Sequence, residues 1–475
     1  MFKKFPATFW IANIIELFER WAWYGLFMVL ALYLTGSTDT GALGFTQAQK
    51  GIMMGSVVGI LYFLPILTGS IADNIGYKRT LIISLSIYAT AYLLLSVVKS
   101  YFLFYLVFLY LAIGSALFKP IVSATVKKTT TKDTASVGFG LFYMIVNIGA
   151  FLGPIFSSKL RALGWSYVFY MAAALATFNL LLVILFYKEP AREQTDKQSI
   201  KELFIKVLKN LVEVVKDKKL LIFLILIVSF WTIYNQLFFT LPVFIEQWID
   251  THSLYNLLEN ISPALAHSIG TAHKTIEPEM ITNLDAGFII LFQVIISSII
   301  KKVFPVKSIM IGILIATIGL SLTFITSNIF YLILGIFIFS IGEMTSSPKT
   351  TEYIASIAPP DKVALYVGTS FIPLSLGNFF AGILSGNVYQ AMSDKAQIVK
   401  TELLQHGINQ ATLSHLSKNQ MFELLIKITH KTPQSLTNYL WQQYHPYNYW
   451  IILFSIGIFA VVSLYFYQKY IFKKQ

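Results

Sequence analysis

The 475-residue chain is 56% hydrophobic, only 12% charged, and carries a formal net charge of +13. Soluble domains carry about 25% charged residues, so this composition excludes an ordinary water-soluble fold and indicates helices that pack in lipid. The chain has no cysteine, which excludes disulfides and thiolate metal sites.

Twelve apolar stretches are long enough to cross a membrane as helices, which takes about 20 residues each. We predict an all-α membrane protein of two six-helix halves, residues 1–187 and 219–475, joined by a linker at 188–218. The predicted spans are 8–34, 46–72, 79–98, 101–126, 137–158, 165–187, 219–246, 284–301, 307–326, 329–357, 362–388 and 448–470.

The N-terminus lacks the short apolar region and small-residue cleavage site of a signal peptide, so we read residues 8–34 as a retained first span. Lysine and arginine concentrate in the segments on the same side as the N-terminus. This bias predicts an integral protein of the cytoplasmic (inner) membrane with both termini in the cytoplasm. It also explains the positive charge without a nucleic-acid partner.

The linker and two long loops carry apolar residues at helical spacing. In the linker this pattern predicts an amphipathic helix on the cytoplasmic face. Loops 247–283 and 389–447 are too long to be structureless in a compact protein, so we expect short helices there. These helices could rest on the outer surface, or they could act in gating or partner docking. The apolar positions are Leu203, Phe204, Val207, Leu208, Leu211 and Val215 in the linker, and Met421, Leu424, Leu425 and Ile428 in the second loop.

Charged residues inside the first span fall on one helical face. Glu16, Glu19, Arg20, Trp23 and Tyr24 have offsets of 0, 3, 4, 7 and 8. Charges in a membrane avoid lipid and usually mark a substrate or proton pathway. We therefore expect this face to line a cavity; the alternative is an internal salt bridge that only holds helices together.

Three further polar residues lie inside apolar spans. Lys119, in the fourth span, needs a carboxylate partner or a lowered pKa, and Glu16 and Glu19 are the candidates. Glu343, in the tenth span, needs a cation or must stay protonated. Asn147, in the fifth span, could serve as a hydrogen bond between helices.

A short loop motif follows the second span. Gly69, Asp73, Gly76, Lys78 and Arg79 resemble the G-x-x-x-D-x-x-G-x-[RK]-[RK] motif of the major facilitator superfamily. The glycines allow close helix approach and a tight turn, and Asp73 can cap a helix or pair with a cation at an inner gate.

Four further motifs resemble the proton-dependent oligopeptide transporter family of that superfamily, in order and spacing. They are Glu16-Leu-Phe-Glu19-Arg20-Trp-Ala-Trp-Tyr24-Gly25, Phe118-Lys119-Pro120, Phe142-Tyr143 with Asn147, and Gly342-Glu343 with Ser347-Pro348. The resemblance implies roles for the matching positions. Proton coupling is implied for Glu16, Glu19, Arg20, Lys119 and Glu343, with Lys119 as the salt-bridge partner of the two first-span glutamates. Substrate binding is implied for Arg20, Trp23, Tyr24, Tyr62, Lys119, Asn147, Trp231, Asn235, Glu343 and Ser347.

The chain also departs from the family pattern. Asn235, four residues after Trp231, stands where the family has an acid, and Asp285-Ala286 stands where it has Asn-Pro. These departures bear on the substrate more than on the fold.

The resemblance implies proton-coupled symport of di- and tripeptides by alternating access, and no enzyme activity. The expected partners are a small-molecule substrate and the lipid bilayer, with the proton as coupling ion, no other cofactor or metal, and a monomeric state. Two alternatives stay open. One is a carrier of the same fold for nitrate or another anionic or amphipathic solute, and the other is a transporter-like receptor or scaffold acting through the outer loops.

Overall fold

The computed structural model describes residues 5–131, 133–190, 216–360 and 362–472, with isolated positions at 202, 205, 209 and 212. Helices form the regular structure of this part of the chain, apart from an isolated antiparallel bridge between Gly270 and Ile276. Eleven described segments are long and apolar enough to cross a membrane. Ala7–Thr35 is a twelfth helix of sufficient length, with three charges in its middle. The predicted all-α fold with twelve spans is confirmed.

The spans match their predicted positions to within a few residues. Spans one to six are Ala7–Thr35, Gln47–Phe63 with Pro65–Ile75, Tyr77–Val97, Tyr101–Lys128, Ala135–Leu163 and Trp165–Phe186. Spans seven and eight are Lys218–Tyr234 with Gln236–Phe239 and Leu241–Trp248, and Pro278–Thr282 with Leu284–Ile300. Spans nine to twelve are Pro305–Ile325, Ile329–Ile357, Val363–Gly368 with Phe371–Ile383 and Tyr389–Met392, and Tyr449–Tyr467.

Two spans are interrupted for identifiable reasons. The second span breaks at Leu64 because Pro65, at the start of the next helix, has no N–H to donate. The seventh span breaks first at Asn235, whose side-chain amide donates to the carbonyl of Trp231 at 2.7 Å. It breaks again at Thr240, just before Pro242. The two breaks in the seventh span lie in the interior of the protein rather than against lipid, since Asn235 and Thr240 are buried.

Both long loops contain helices, as predicted. We call residues 389–447 the cap. The end of the helix bundle that carries the cap is the loop end, and the opposite end, which carries the linker, is the linker end. Met421 and Leu425 bury one face of the cap helix Lys418–Thr429. The loop helices are His252–Ile261 and Pro263–Ile269 in the first loop, and Lys395–Gln405, Gln410–Ser414, Lys418–Thr429 and Pro433–Tyr444 in the cap. The six apolar residues that predict a linker helix lie outside the described residues.

The two halves meet at the loop end. Gly51 and Gly55 of the second span pack directly against Gly382 and Gly386 of the eleventh, which only residues without side chains allow. Beside this contact, Lys50 Nζ donates to the carbonyl of Phe239, at the interrupted part of the seventh span, at 2.8 Å. The loop end is therefore closed in this conformation.

Candidate functional site

A cavity of about 290 Å³ lies between the two halves. Its lining includes eight of the residues predicted to bind substrate, contributed by both halves: Trp23, Tyr24, Tyr62, Asn147, Trp231, Asn235, Glu343 and Ser347. Small-molecule sites in proteins are concave, largely apolar and aromatic, with a few polar groups that fix orientation. The cavity has this character.

The first-span charges form a buried cluster beside the cavity. Arg20 pairs with Glu19, with Nε donating to Oε2 at 2.5 Å, and with Glu16, with Nε 3.2 Å from Oε1. The second carboxylate oxygen of Glu19 accepts a hydrogen bond from the hydroxyl of Tyr88, in the third span, at 2.5 Å. The guanidinium carbon of Arg20 lies 6.0 Å from the ring centroid of Tyr24, which lines the cavity. The charged face thus points inward, as predicted, and Tyr88 is a partner that the sequence does not indicate.

Lys119 departs from its predicted contact. Its ammonium nitrogen lies 3.8 Å from the ring centroid of Tyr62, a cation–π distance. Among the described residues, the salt-bridge partner of Glu16 and Glu19 is Arg20, and the predicted ion pair with Lys119 is not formed in this conformation. The reason is local: Arg20 lies next to Glu19 and one turn from Glu16 on the same helix, and it occupies both carboxylates.

Glu343 faces another carboxyl group instead of a cation. Asp285, at the start of the long eighth-span helix, and Tyr234 line the same cavity as Glu343. Ser340 donates to Asp285 Oδ1 at 2.5 Å, whereas Glu343 Oε2 is buried without a hydrogen-bond partner among the described residues. Asp285 lines the cavity, and the sequence reveals it only as a departure from the family pattern.

The two asparagines of the cavity bond to their own helices. Asn147 donates to the carbonyl of Tyr143 at 2.7 Å, and Asn235 donates to that of Trp231 at 2.7 Å. The interhelical role considered for Asn147 is therefore not observed.

The loop motif lies at the linker end. Gly76 has φ 110° and joins the second and third spans, a conformation that favours glycine. Asp73 accepts a hydrogen bond from the hydroxyl of Tyr77 at 2.9 Å, while Glu189 accepts from the backbone N–H of Tyr77 at 2.9 Å and so caps the third span. Lys78 Nζ donates to the carbonyl of Ile184 at 2.9 Å. Gly69 lies within the Pro65–Ile75 helix, and Arg79 is exposed.

A second ion cluster links the halves at the loop end. Arg161, in the fifth span, pairs with Glu277, with Glu279 at 3.2 Å and with Glu246 at 3.8 Å. Burial raises the pKa of the Glu277 carboxyl, and the neighbouring carboxylate of Glu246 raises it further, although Arg161 opposes both effects. Sequence reasoning missed this cluster because its members come from three separate segments. On the tenth span, Lys349 pairs with Glu352 at 2.8 Å.

Comparison with known proteins identifies the family. The model of the Major Facilitator Superfamily matches residues 10–258. The chain belongs to the major facilitator superfamily. It is therefore an integral membrane protein of a transporter family. In the described part of the chain, no cluster of three or more His, Asp or Glu residues could hold a metal ion.

Several curated relatives of this superfamily member are peptide carriers by name. Dipeptide and tripeptide permease A of Serratia proteamaculans is 28% identical over 240 residues, which cover 49% of this chain and 45% of the relative. Dipeptide and tripeptide permease B of Photorhabdus asymbiotica is 30% identical over 196 residues, covering 39% of this chain and 38% of the relative. The matched segments thus span less than half of these relatives. Their names confirm the resemblance to the oligopeptide transporter family.

Solved structures share the fold over nearly the whole chain. A POT family transporter in complex with 5-aminolevulinic acid has a TM-score of 0.69 at 17% identity and covers 96% of this chain and 95% of its own. A peptide transporter POT in complex with sulfate also scores 0.69, at 16% identity, covering 98% and 94%. At these identities the likeness establishes the fold.

Proposed function

We propose that this protein carries di- and tripeptides together with protons across the cytoplasmic membrane by alternating access of its two halves. The supporting observation is the cavity between the halves, which has cations behind one wall and acids on the other. Arg20 and Lys119 stand behind Tyr24 and Tyr62 in the N-terminal half, and Glu343 and Asp285 line the C-terminal half.

This polarity suits a zwitterion. The ammonium group of a peptide would bind at Glu343, whose Oε2 has no hydrogen-bond partner among the described residues. The peptide carboxylate would be held by Lys119 and Arg20 once Lys119 leaves the ring of Tyr62. Charge-assisted hydrogen bonds of this kind orient a ligand by its two ends. Aromatic walls can then accept different side chains between those ends.

Proton coupling would use the first-span cluster. Arg20 pairs with both Glu16 and Glu19, so protonation of either glutamate removes one of the two ion pairs of the guanidinium. A freed guanidinium can turn to a substrate carboxylate, and a substrate carboxylate can in turn favour protonation of the glutamate that it displaces. This competition for one cation would link proton binding to substrate binding.

Alternating access would require the closed loop end to open while the linker end closes. The motif at Gly69, Asp73, Gly76, Lys78 and Arg79 would serve the gate at the linker end. We propose that both termini are cytoplasmic, so the loop end faces the outside, and that the monomer is the working unit. Substrate would then enter at the loop end and leave at the linker end.

An inorganic anion such as nitrate is a weaker candidate. Two carboxyl groups line the cavity, whereas its described lining residues include no Lys, Arg or His. An anion would therefore meet a wall of like charge. An amphipathic amine remains compatible with this lining.

Purified protein in liposomes provides the test. With a proton gradient directed inward, a labelled dipeptide should accumulate above its external concentration, and collapse of the gradient should abolish accumulation. Glu343→Gln should prevent accumulation of peptides with a free amino terminus. Glu423→Gln, which removes an exposed cap carboxylate, is the matched control and should transport normally. Equal uptake with and without the gradient would refute the coupling.

A further inference from the structure

A second cavity, of about 250 Å³, lies at the loop end between the cap and the ends of the first, fifth, sixth and seventh spans. Its described lining has no residue in common with the cavity that Glu343 lines, here called the central cavity. A larger cleft of about 700 Å³ shares four lining residues with the second cavity and extends to the exposed His252 and His273. A small molecule can therefore reach the second cavity from the surface of the loop end.

Three cations line the second cavity, and one of them is already paired. Arg161 forms ion pairs with Glu277 and Glu279, which lie outside the lining, and its distance to Glu246 is 3.8 Å. The other two cations are Lys395 and Lys418, which begin two helices of the cap and are both partly buried. In the described part of the chain, no carboxylate forms an ion pair with either lysine.

The contacts of the two lysines are neutral. Lys395 Nζ donates to the hydroxyl of Thr437 at 2.8 Å and lies 4.4 Å from the ring centroid of Phe422. Lys418 Nζ donates to two backbone carbonyls, at 2.6 and 2.9 Å. Because an ammonium group has three N–H donors, the described hydrogen bonds leave two donors on Lys395 and one on Lys418.

A partly buried ammonium group without a counter-ion carries an electrostatic cost, which an anion in the cavity would relieve. Carboxylates form short, charge-assisted hydrogen bonds with ammonium groups. Much of the remaining wall is apolar, so an organic anion makes more contacts there than an inorganic one. The apolar wall residues are Leu32, Trp165, Val243, Val399 and Phe422.

We propose that the second cavity is a ligand site, in which Lys395 and Lys418 bind the carboxylate of a small organic acid and the apolar wall binds its hydrocarbon part. The walls come from both halves of the protein, so a bound acid would add contacts to the closed loop end. Binding at this site does not require that the central cavity carries peptides.

Calorimetric titration of the purified protein at pH 7 with N-acetyl-leucine tests for the site. This probe has a carboxylate and an apolar side chain, and the wild type should bind it saturably. N-acetyl-leucinamide lacks the carboxylate and should not bind, whereas sulfate lacks the apolar part and should bind more weakly than N-acetyl-leucine. No binding of N-acetyl-leucine, or equal affinity for the acid and its amide, would overturn the proposal. Equal affinity for sulfate would overturn the assignment to an organic acid.

Lys395→Gln is the decisive variant. It removes the charge but keeps a group that can donate to Thr437, and it should weaken the binding of N-acetyl-leucine by about 10- to 150-fold, as for the loss of a hydrogen bond to a charged group. Lys427→Gln, which changes an exposed lysine of the cap, is the matched control and should bind as the wild type does. An unchanged affinity in Lys395→Gln would show that the acid does not bind at this lysine.

Ala396→Phe covers the case in which Lys395→Gln does not fold. Ala396 lines the second cavity next to Lys395, so this variant keeps both lysines and fills the space that the ligand needs. It should abolish the binding of N-acetyl-leucine, and unchanged binding would also overturn the proposal.

Two sources could supply such a carboxylate, a free organic acid and the C-terminus of a peptide. Alanyl-leucine separates them, because it has the carboxylate and side chain of N-acetyl-leucine and a free amino group as well. Weaker binding of both probes to Lys395→Gln would support a site that also accepts peptides. Weaker binding of N-acetyl-leucine alone would support a site for acids without an amino group. Dipeptide uptake in liposomes tests the proposed transport separately from either result.

Discussion

Lys418 of the cap donates a hydrogen bond from Nζ to the carbonyl of Thr35, the last residue of the first span, at 2.6 Å. A second bond from the same nitrogen reaches the carbonyl of Phe45 at 2.9 Å. A cation at a helix C-terminus interacts favourably with the helix dipole. Beside it, Ser417 and Asn419 both donate to Asp39 at 3.0 Å. The cap, which belongs to the C-terminal half, therefore holds the loop between the first two spans of the N-terminal half.

Replacement of Lys418 tests how much this contact contributes to the stability of the folded protein. Lys418→Gln removes the charge and shortens the side chain, and we expect it to lower the free energy of unfolding by about 1.5–3 kcal/mol, as for hydrogen bonds to charged groups. The measurement is the melting temperature of purified protein. Lys427→Gln, which changes an exposed lysine in the last turn of the same helix, should lower the melting temperature much less, because the charge of an exposed lysine there contributes only about 0.3–1 kcal/mol. Equal effects of the two substitutions would contradict the role of Lys418.

The ion cluster of Arg161 predicts a pH dependence of stability. Burial raises the pKa of Glu277 above its ordinary value of 4.5. The folded protein therefore binds more protons than the unfolded chain above pH 4.5. The stabilisation of the folded protein by the protonated Glu277 carboxyl is present at low pH. It is lost as pH rises through the pKa of Glu277 in the folded protein.

Glu277→Gln should remove that contribution. We expect the melting temperature of the wild type to fall more steeply than that of Glu277→Gln as pH rises from 4.5 towards neutrality. Glu423→Gln controls for loss of an exposed carboxylate. Parallel slopes for the wild type and Glu277→Gln would show that Glu277 does not titrate in this way.

Close glycine packing at the loop end gives a third prediction. A Cβ at Gly382 would lie 2.6 Å from Gly55 Cα, so Gly382→Ala should destabilise the closed loop end. An overpacking cost of about 1–3 kcal/mol would shift the equilibrium towards an open loop end by about 5- to 150-fold. Dipeptide uptake in liposomes should fall accordingly. Gly140→Ala is the matched control, because a Cβ at Gly140 has no atom within 4 Å.

A single thiol reports the same shift directly. The chain has no cysteine, so Ser347→Cys places one reactive group in the cavity. A membrane-impermeant maleimide added from the loop end should label this thiol faster when Gly382→Ala is also present. No acceleration would mean that the glycine contact does not control access from that side.

The sequence predicted what depends on neighbours along the chain. Membrane spans follow from runs of apolar residues, and the inward face of the first span follows from helical spacing of Glu16, Glu19 and Arg20. The cavity residues were predicted from motifs on separate helices, which come together only in the folded protein. Contacts between distant segments were not predictable in this way. Nothing in the spacing of Asp285 and Glu343 indicates that they line the same cavity, and Lys418 lies in a cap whose docking is a property of the tertiary structure.

The sequence also does not predict which of several possible partners a charged side chain contacts. By charge alone, Lys119 could pair with Glu16 or Glu19. Arg20 lies on the same helix as these two glutamates and pairs with both. Lys119 then lies on the ring of Tyr62. The sequence supplies the charged groups, and packing determines which of them pair.

Tyr88 gives the last prediction, because its hydroxyl donates to Glu19 at 2.5 Å from a side chain that is 1% exposed. Tyr88→Phe removes a hydrogen bond to a charged group, worth about 1.5–3 kcal/mol. The carboxylate of Glu19, which pairs with Arg20, loses this stabilisation. Proton-driven dipeptide uptake should therefore reach half of its maximum at a higher pH than in the wild type.

Tyr92 is the matched control for that measurement. It is buried beside Tyr88, with ring centroids 5.7 Å apart, but its hydroxyl has no hydrogen-bond partner among the described residues. Tyr92→Phe removes the same atom from the same helix without freeing a partner, so its pH profile should match that of the wild type. If both substitutions moved the profile equally, the shift would reflect packing of the third span. A shift confined to Tyr88→Phe would tie the hydrogen bond of Glu19 to proton coupling.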